Sequence, residues 1–172
     1  MTGKIKVLFV CHGNICRSTC AQSIMTHLVD QAGMDALFEI DSAATSREEI
    51  GNPPHPGTRN ILHKYKVPLV PHRARQMTRD DYLYYDFLIG MDTANIRNMT
   101  RIAGGSDSQR KIFKMLSFAD YEKNRCLSEA GDVADPWYTG DFEATFDDIM
   151  RGCRGLLEYI SVRDDPFLYR EG

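Results

Sequence analysis

The chain has 172 residues, 42% hydrophobic and 26% charged, which fits one soluble globular domain of ordinary size over residues 1–172. A formal net charge of −3 gives no overall attraction for nucleic acid or an anionic membrane surface, so neither is expected as a partner. An odd cysteine count of five, with an N-terminal apolar run of only Val7–Val10, argues against a secreted disulfide framework and for free thiols in the cytoplasm.

In chain order, "KIKVLFV" (Lys4–Val10) reads as a buried strand. "HGNICRS" cannot continue it, and beyond it Ala21, Ile24, Met25, Leu28 and Ala32 share one helical face, with Gly33 as a stop. "FEIDSAAT" (Phe38–Thr45) reads as a second strand, "GNPPHPG" (Gly51–Gly57) as a loop, Thr58–Val67 as a helix, and "TRDDYLYY" as a short helix starting at Thr78 or Arg79. "DFLIGM" (Asp86–Met91) reads as a third strand, "DTANIRNMTRIAGG" as a helix ended by glycines, and "KIFKM" (Lys111–Met115) as a fourth strand. A polar stretch from Ala119 to Thr139 carries no predicted element. The last helix is marked by Phe142, Phe146, Ile149, Met150, Cys153, Leu156, Leu157 and Ile160 on one stripe, with Asp141 as its cap. Strands alternate with helices, so the expected fold is a doubly wound α/β sheet with its ligand site beyond the carboxyl ends of the strands.

"CHGNICRS" stands at one such end. Cys11 and Arg17 are spaced C-x5-R, and a strand-to-helix loop can turn its N–H groups inward as an anion nest at the positive end of the following helix. That nest would be drawn from His12, Gly13, Asn14, Ile15, Cys16 and Arg17, with Gly13 expected to supply the bend and Arg17 a planar fork for two phosphate oxygens. A thiol held there should ionise readily and sit under a tetrahedral anion, the geometry for attack at phosphorus. Ser18 can donate a hydrogen bond to the sulfur. A cysteine after a strand is also often just a small buried hydrophobe. A zinc site of Cys11, Cys16, Cys20 and His12 does not match structural zinc spacings, and no G-K-[ST] follows to make a nucleotide P-loop. Phosphoryl transfer to cysteine also needs a proton donor. Asp135 in "DPW" is the candidate, though from spacing alone an ordinary Asp-Pro turn is the simpler reading.

"VCHGNICRS", "DSAATS", "VPHRARQMT", "FLIGMD" and "ADPWYTGDFE" together resemble, in order and spacing, the low-molecular-weight protein tyrosine phosphatases over about residues 5 to 160. The resemblance implies a four-stranded parallel sheet flanked by helices on both faces, with the phosphate-binding loop after the first strand. It implies Cys11 as nucleophile, Arg17 as phosphate-binding arginine and Asp135 as general acid. Asn14, Ser18, Ser42 and His72 match the family's loop-shaping network, Asp92 a structural acid near the site, and Cys16 a second thiol that in the family can pair with the nucleophile. No metal or cofactor is implied, and the substrate would be a phosphotyrosine-containing protein or peptide. The sequence departs from the family at Thr19, where proline is usual, at Gln22, where glutamate is usual, and at His12. Thr19 is expected to lower stability without affecting chemistry. "SREE" stands where many relatives place a rim aromatic, which makes Arg47 and Glu48 candidate rim residues opposite Trp137 and Tyr138. Relatives that act on phosphoarginine carry threonine at the position of Ile15, so an apolar Ile15 favours phosphotyrosine. Arsenate reductases that use a thioredoxin relay carry further cysteines in the region of "YLYYDFLIGMDTANIRN", which has none. A binding module without catalysis is disfavoured by the intact Cys11, Arg17 and Asp135.

Overall fold

The opening apolar run forms β1, Ile5–Cys11, and from Val7 onward every residue in it is buried. Burial on both faces of a strand requires cover on both faces, which a parallel sheet wrapped by helices supplies. The computed structural model describes residues 3–129 and 131–163. After β1 come α1 (Arg17–Gln31), β2 (Phe38–Ala44), α2 (Pro56–Lys64), α3 (Arg79–Tyr84), β3 (Phe87–Gly90), α4 (Thr93–Ile102), β4 (Ile112–Lys114), α5 (Tyr121–Asn124), α6 (Pro136–Thr139) and α7 (Phe142–Arg163). The sheet is all parallel with order β2-β1-β3-β4. Alternation along β1 divides the core. Val7, Phe9 and Ile89 join the cluster that holds Ile24 and Met25 of α1 and Ile149, Cys153 and Leu156 of α7. Leu8, Val10 and Leu88 join Tyr82 of α3 and Met99 of α4 in the other cluster. Helices therefore cover both faces. Strand order reverses between β1 and β3, and such a sheet opens a crevice beyond the carboxyl ends of those two strands. β1 ends in Cys11, and β3 runs directly into Met91 and Asp92.

The remaining differences from the sequence reading are local. The second helix starts at Pro56 rather than Thr58, because His55 Nδ1 accepts from Gly57 N–H at 2.9 Å and proline fits the first turn. It stops at Lys64, ahead of a left-handed Lys66. The expected fourth strand is shorter, since Met115 already belongs to a 3-10 turn, Met115–Phe118. The polar stretch holds two single-turn helices, α5 and α6, too short to show periodicity. Asp141 does cap α7, accepting from Ala144 N–H at 2.9 Å.

α7 crosses the 3-10 turn at its glycines. A Cβ at Gly155 would lie 1.7 Å from the Phe118 carbonyl oxygen, and one at Gly152 would lie 2.8 Å from that of Met115. A backbone carbonyl cannot rotate away as a side chain can, so Gly155→Ala should lower stability by about 3 kcal/mol. Urea unfolding of the variant checks this; a midpoint equal to the parent's would show that the helix can shift without cost.

Candidate active site

The loop from Cys11 to Arg17 is held from outside by its carbonyls. Cys11 O accepts from Thr45 N–H (2.9 Å), His12 O from Ser46 N–H (3.1 Å), Ile15 O from His55 N–H (2.8 Å), and Cys16 O from Cys20 N–H (3.1 Å). The buried Thr58 hydroxyl adds bonds to Ile15 O and Cys16 O. In a trans peptide the C=O and the next N–H point in opposite directions. Outward carbonyls at 11, 12, 15 and 16 therefore turn the N–H groups of His12, Gly13, Cys16 and Arg17 toward the loop's centre. The Asn14 N–H points at Cys11 Sγ itself, at 3.3 Å. This is the anion nest expected of the spacing, but its bend lies elsewhere. Asn14, not Gly13, has the left-handed backbone (φ 59). A Cβ at Gly13 would meet Glu49 Cγ at 3.3 Å, a tight contact with a flexible side chain.

Asn14 is wholly buried, and its side chain uses both ends. Its Nδ2 donates to Ser18 Oγ (2.8 Å) and Ser42 Oγ (2.9 Å). Its Oδ1 accepts from Arg75 N–H (3.2 Å) and bonds His72 Nε2 at 2.7 Å. With Oδ1 as acceptor, Nε2 carries the His72 proton. Ser18 Oγ lies 3.1 Å from Cys11 Sγ and can donate to the sulfur when that is a thiolate. Ser42 Oγ donates to Gln22 Oε1 at 2.6 Å.

Arg17 opens α1 and is 2% exposed. Its Nη1 donates to Asp92 Oδ2 and to Val133 O, both at 2.8 Å, and its Nη2 to Asp135 Oδ2 at 3.2 Å. Burial alone would weaken the guanidinium's charge, but Cys11, Asp92 and Asp135 around it hold its pKa above the ordinary value. Asp92 also caps α4 through Asn95 N–H (2.7 Å), which fixes its position. Asp135 caps α6, accepting from Trp137 N–H at 3.1 Å.

A model of the low molecular weight phosphotyrosine protein phosphatase family matches residues 6–165. The chain belongs to this family. It is 39% identical over 156 residues to the low molecular weight protein-tyrosine-phosphatase YfkJ of Bacillus subtilis, covering 91% of this chain and 96% of that one. The crystal structure of YfkJ superposes with a TM-score of 0.85 over 95% of this chain and 98% of that one, at 37% identity. The low molecular weight protein-tyrosine-phosphatase PtpA of Staphylococcus epidermidis is 37% identical over 160 residues, 93% of this chain and 96% of that one. A structure described as a Drosophila arginine phosphatase also superposes, with a TM-score of 0.78 at 25% identity, over 93% of this chain and all of that one.

In this family member the loop floors a cleft of about 100 Å³. Cys11 and Arg17 lie at its base with Gly13, Ile15 and Cys16, and His12, Asp135, Trp137 and Tyr138 contribute the walls. Ile15 both lines the cleft and packs with Cys16, Ala74 and Phe142. Asn14, Ser18, Ser42, His72 and Asp92 stand behind the lining as supports. The expected rim needs correction. Arg47 turns away to Gln76 Oε1 (3.1 Å) and does not line the cleft, whereas Glu49 does, alongside Glu48. Glu48 pairs with His12 Nε2 at 2.9 Å, and Glu49 accepts from Asn52 Nδ2 at 2.6 Å. Cys16 is a free buried thiol that burial, followed by Cys11, pushes up to about 12; Cys20 is likewise pushed by burial to about 12. Among the described residues no group of three His, Cys, Asp or Glu side chains is placed to hold a metal ion. No helix among them is long and apolar enough to cross a membrane.

Burial lowers the pKa of His72 below 6.5, with Asp41 opposing and Arg75 assisting the shift. The unfolded chain therefore takes up a proton at this histidine before the folded one does. Stability should be full above pH about 6.5, fall as pH drops through that value, and level off below the folded pKa. Denaturant unfolding from pH 8 to 5 should show this fall in the parent and a smaller one in His72→Gln. Equal slopes would remove His72 as its source.

Proposed function

We propose that this chain hydrolyses protein phosphotyrosine through a phosphocysteine, with Cys11 as nucleophile, Arg17 as phosphate clamp and Asp135 as general acid and then base. The observation that carries the reading is the convergence on one small cleft of a cysteine sulfur, an inward-facing N–H nest and a buried arginine whose outer nitrogen is held by an aspartate. The phosphoryl oxygens take the nest and the Arg17 Nη2 now used by Asp135, which frees the Asp135 carboxyl to face the leaving oxygen. The Cys11 thiolate attacks phosphorus, the P–O bond to the tyrosine ring breaks, and Asp135 gives its proton to the departing phenolate oxygen. In the second step Asp135 takes a proton from water and the oxygen attacks phosphorus. The S–P bond then breaks, releasing inorganic phosphate and the Cys11 thiolate. The Ser18 hydroxyl stabilises sulfur as it leaves. Phosphotyrosine suits the site because buried Cys11 lies in a cleft whose lining includes the exposed rings of Trp137 and Tyr138. The floor beside it is the apolar Ile15, which offers a guanidinium no hydrogen bond. Cys16, in the same loop, is the candidate redox partner of Cys11, and the thiol-rich composition fits a reducing cytoplasm.

Cys11→Ser should lose turnover while still binding phosphate, because the nest and Arg17 remain; activity near the parent's would take Cys11 out of the mechanism. Phosphate release from matched phosphotyrosine, phosphoserine and phosphoarginine peptides should be fastest with phosphotyrosine, and a phosphoarginine rate equal to it would overturn the substrate assignment.

Asp135→Asn should cost about 10²–10⁴-fold with basic leaving groups and much less with acidic ones. A series of aryl phosphates differing in phenol pKa measures this. A loss uniform along the series would deny Asp135 the role of acid.

A further inference from the structure

What sets the position of Asp135 is a question of its own, because the residues just before it form no helix or strand. Three successive residues upstream are tied down. Asp132 Oδ1 accepts from Thr93 N–H (3.0 Å), Thr93 Oγ1 (3.0 Å) and Lys114 Nζ (2.8 Å). Val133 N–H donates to Met91 O at 2.9 Å, and Val133 O receives Arg17. Ala134 O accepts from the buried Thr145 hydroxyl at 3.2 Å. The Val133 and Ala134 hydrogen bonds use backbone groups, and the Val133 side chain is buried in the core; of these three residues, Asp132 is the one whose own side chain is hydrogen-bonded. It joins the loop to the same Met91–Thr93 corner whose Asp92 fixes Arg17. Three donors meet on one oxygen, two of them from one residue, so the clamp constrains direction as well as distance.

We propose that Asp132, through Thr93 and Lys114, is a positioning residue for the general acid: it holds the Asp135 loop in register with Arg17 so that the carboxyl reaches the leaving oxygen. This rests on the phosphatase reading above. Asp132 lies outside the cleft lining, and its carboxyl is bonded to Thr93 and Lys114, neither of which lines the cleft. Loss of the clamp should therefore leave the nest, Arg17 and the attack by Cys11 in place and degrade only proton delivery. Lys114 first, then Thr93, hold the Asp132 carboxyl below its ordinary range, so the clamp stays ionised through neutral pH.

The test compares kcat/KM, which reports the first chemical step, for 4-nitrophenyl phosphate and phenyl phosphate. Asp132→Ala should stay within about threefold of the parent with the nitrophenyl ester and fall about 10–100-fold with the phenyl ester, the scale expected of a displaced catalytic group. Inhibition by vanadate should be unchanged. Asp132→Asn, whose amide oxygen can still accept from Thr93, should recover part of the loss, and Thr93→Val should show a milder form of the same split. In an Asp135→Asn background, Asp132→Ala should add no further leaving-group dependence, because a residue acting through another has nothing left to act on. Equal losses on both esters, weaker vanadate binding, no loss on either ester, or full additivity with Asp135→Asn would each overturn the proposal. A parent enzyme that turns over neither ester would instead fail the phosphatase reading itself, and that result is distinguishable from any of these.

Discussion

The site is organised around one buried guanidinium. Arg17 is almost fully removed from water, and an unpaired charge so placed would cost several kcal/mol. Asp92 follows β3, Val133 and Asp135 lie on the segment between α5 and α7, and Arg17 itself begins α1 after β1. Neutralising Arg17 therefore draws the loops at the carboxyl ends of the sheet into one crevice. In the proposed mechanism, phosphate displaces one of these partners, Asp135. Each of the two acids caps a helix, Asp92 the ten-residue α4 and Asp135 the single-turn α6, and Asp135 also lines the cleft. The two counter-charges of Arg17 thus cap helices of different length.

Much of this was legible in the sequence, for identifiable reasons. β1 and α7 announce themselves because each buries a long apolar pattern of one period, and Cys11 and Arg17 because a strand, five residues and a helix leave little choice of geometry. Residues whose role is set by distant contacts were harder to see. Thr58 lies more than 40 residues from the carbonyls it holds, and Thr145 reaches back to Ala134 from inside a helix whose apolar stripe draws attention away from it. Asp132 looks like any acid in a polar stretch until Thr93 and Lys114 are brought beside it by β3 and β4. Arg47 and Glu49 show the opposite limit. They are two residues apart in a turn after β2, and which of them faces the cleft depends on Gln76 and Asn52, neither visible from local pattern. Gly13 and Asn14 exchange the roles usually given to glycine and asparagine. Asparagine tolerates the left-handed region, and here five hydrogen bonds hold it there, one from its N–H and four at its side chain, while Gly13 lies where a Cβ would come close to Glu49.

The two departures from the family pattern in α1 are then matters of charge and hydrogen bonding rather than of chemistry. Gln22 is buried and accepts from Ser42, which in turn receives Asn14. A neutral amide does this without placing a second buried anion behind a loop that must attract a dianion. The Thr19 side chain is buried and donates to Cys16 O at 3.2 Å, adding a bond to a carbonyl whose outward direction turns the Arg17 N–H inward. A proline at this first-turn position restricts the backbone through its fixed φ, whereas threonine secures the nest through its hydroxyl. The stability expected to be lost with proline is thereby partly offset by a contact made on the loop carbonyl itself. Thr19 acts on a loop carbonyl and Gln22 on the Asn14 side chain by way of Ser42, so both bear on the support of the loop that begins at Cys11.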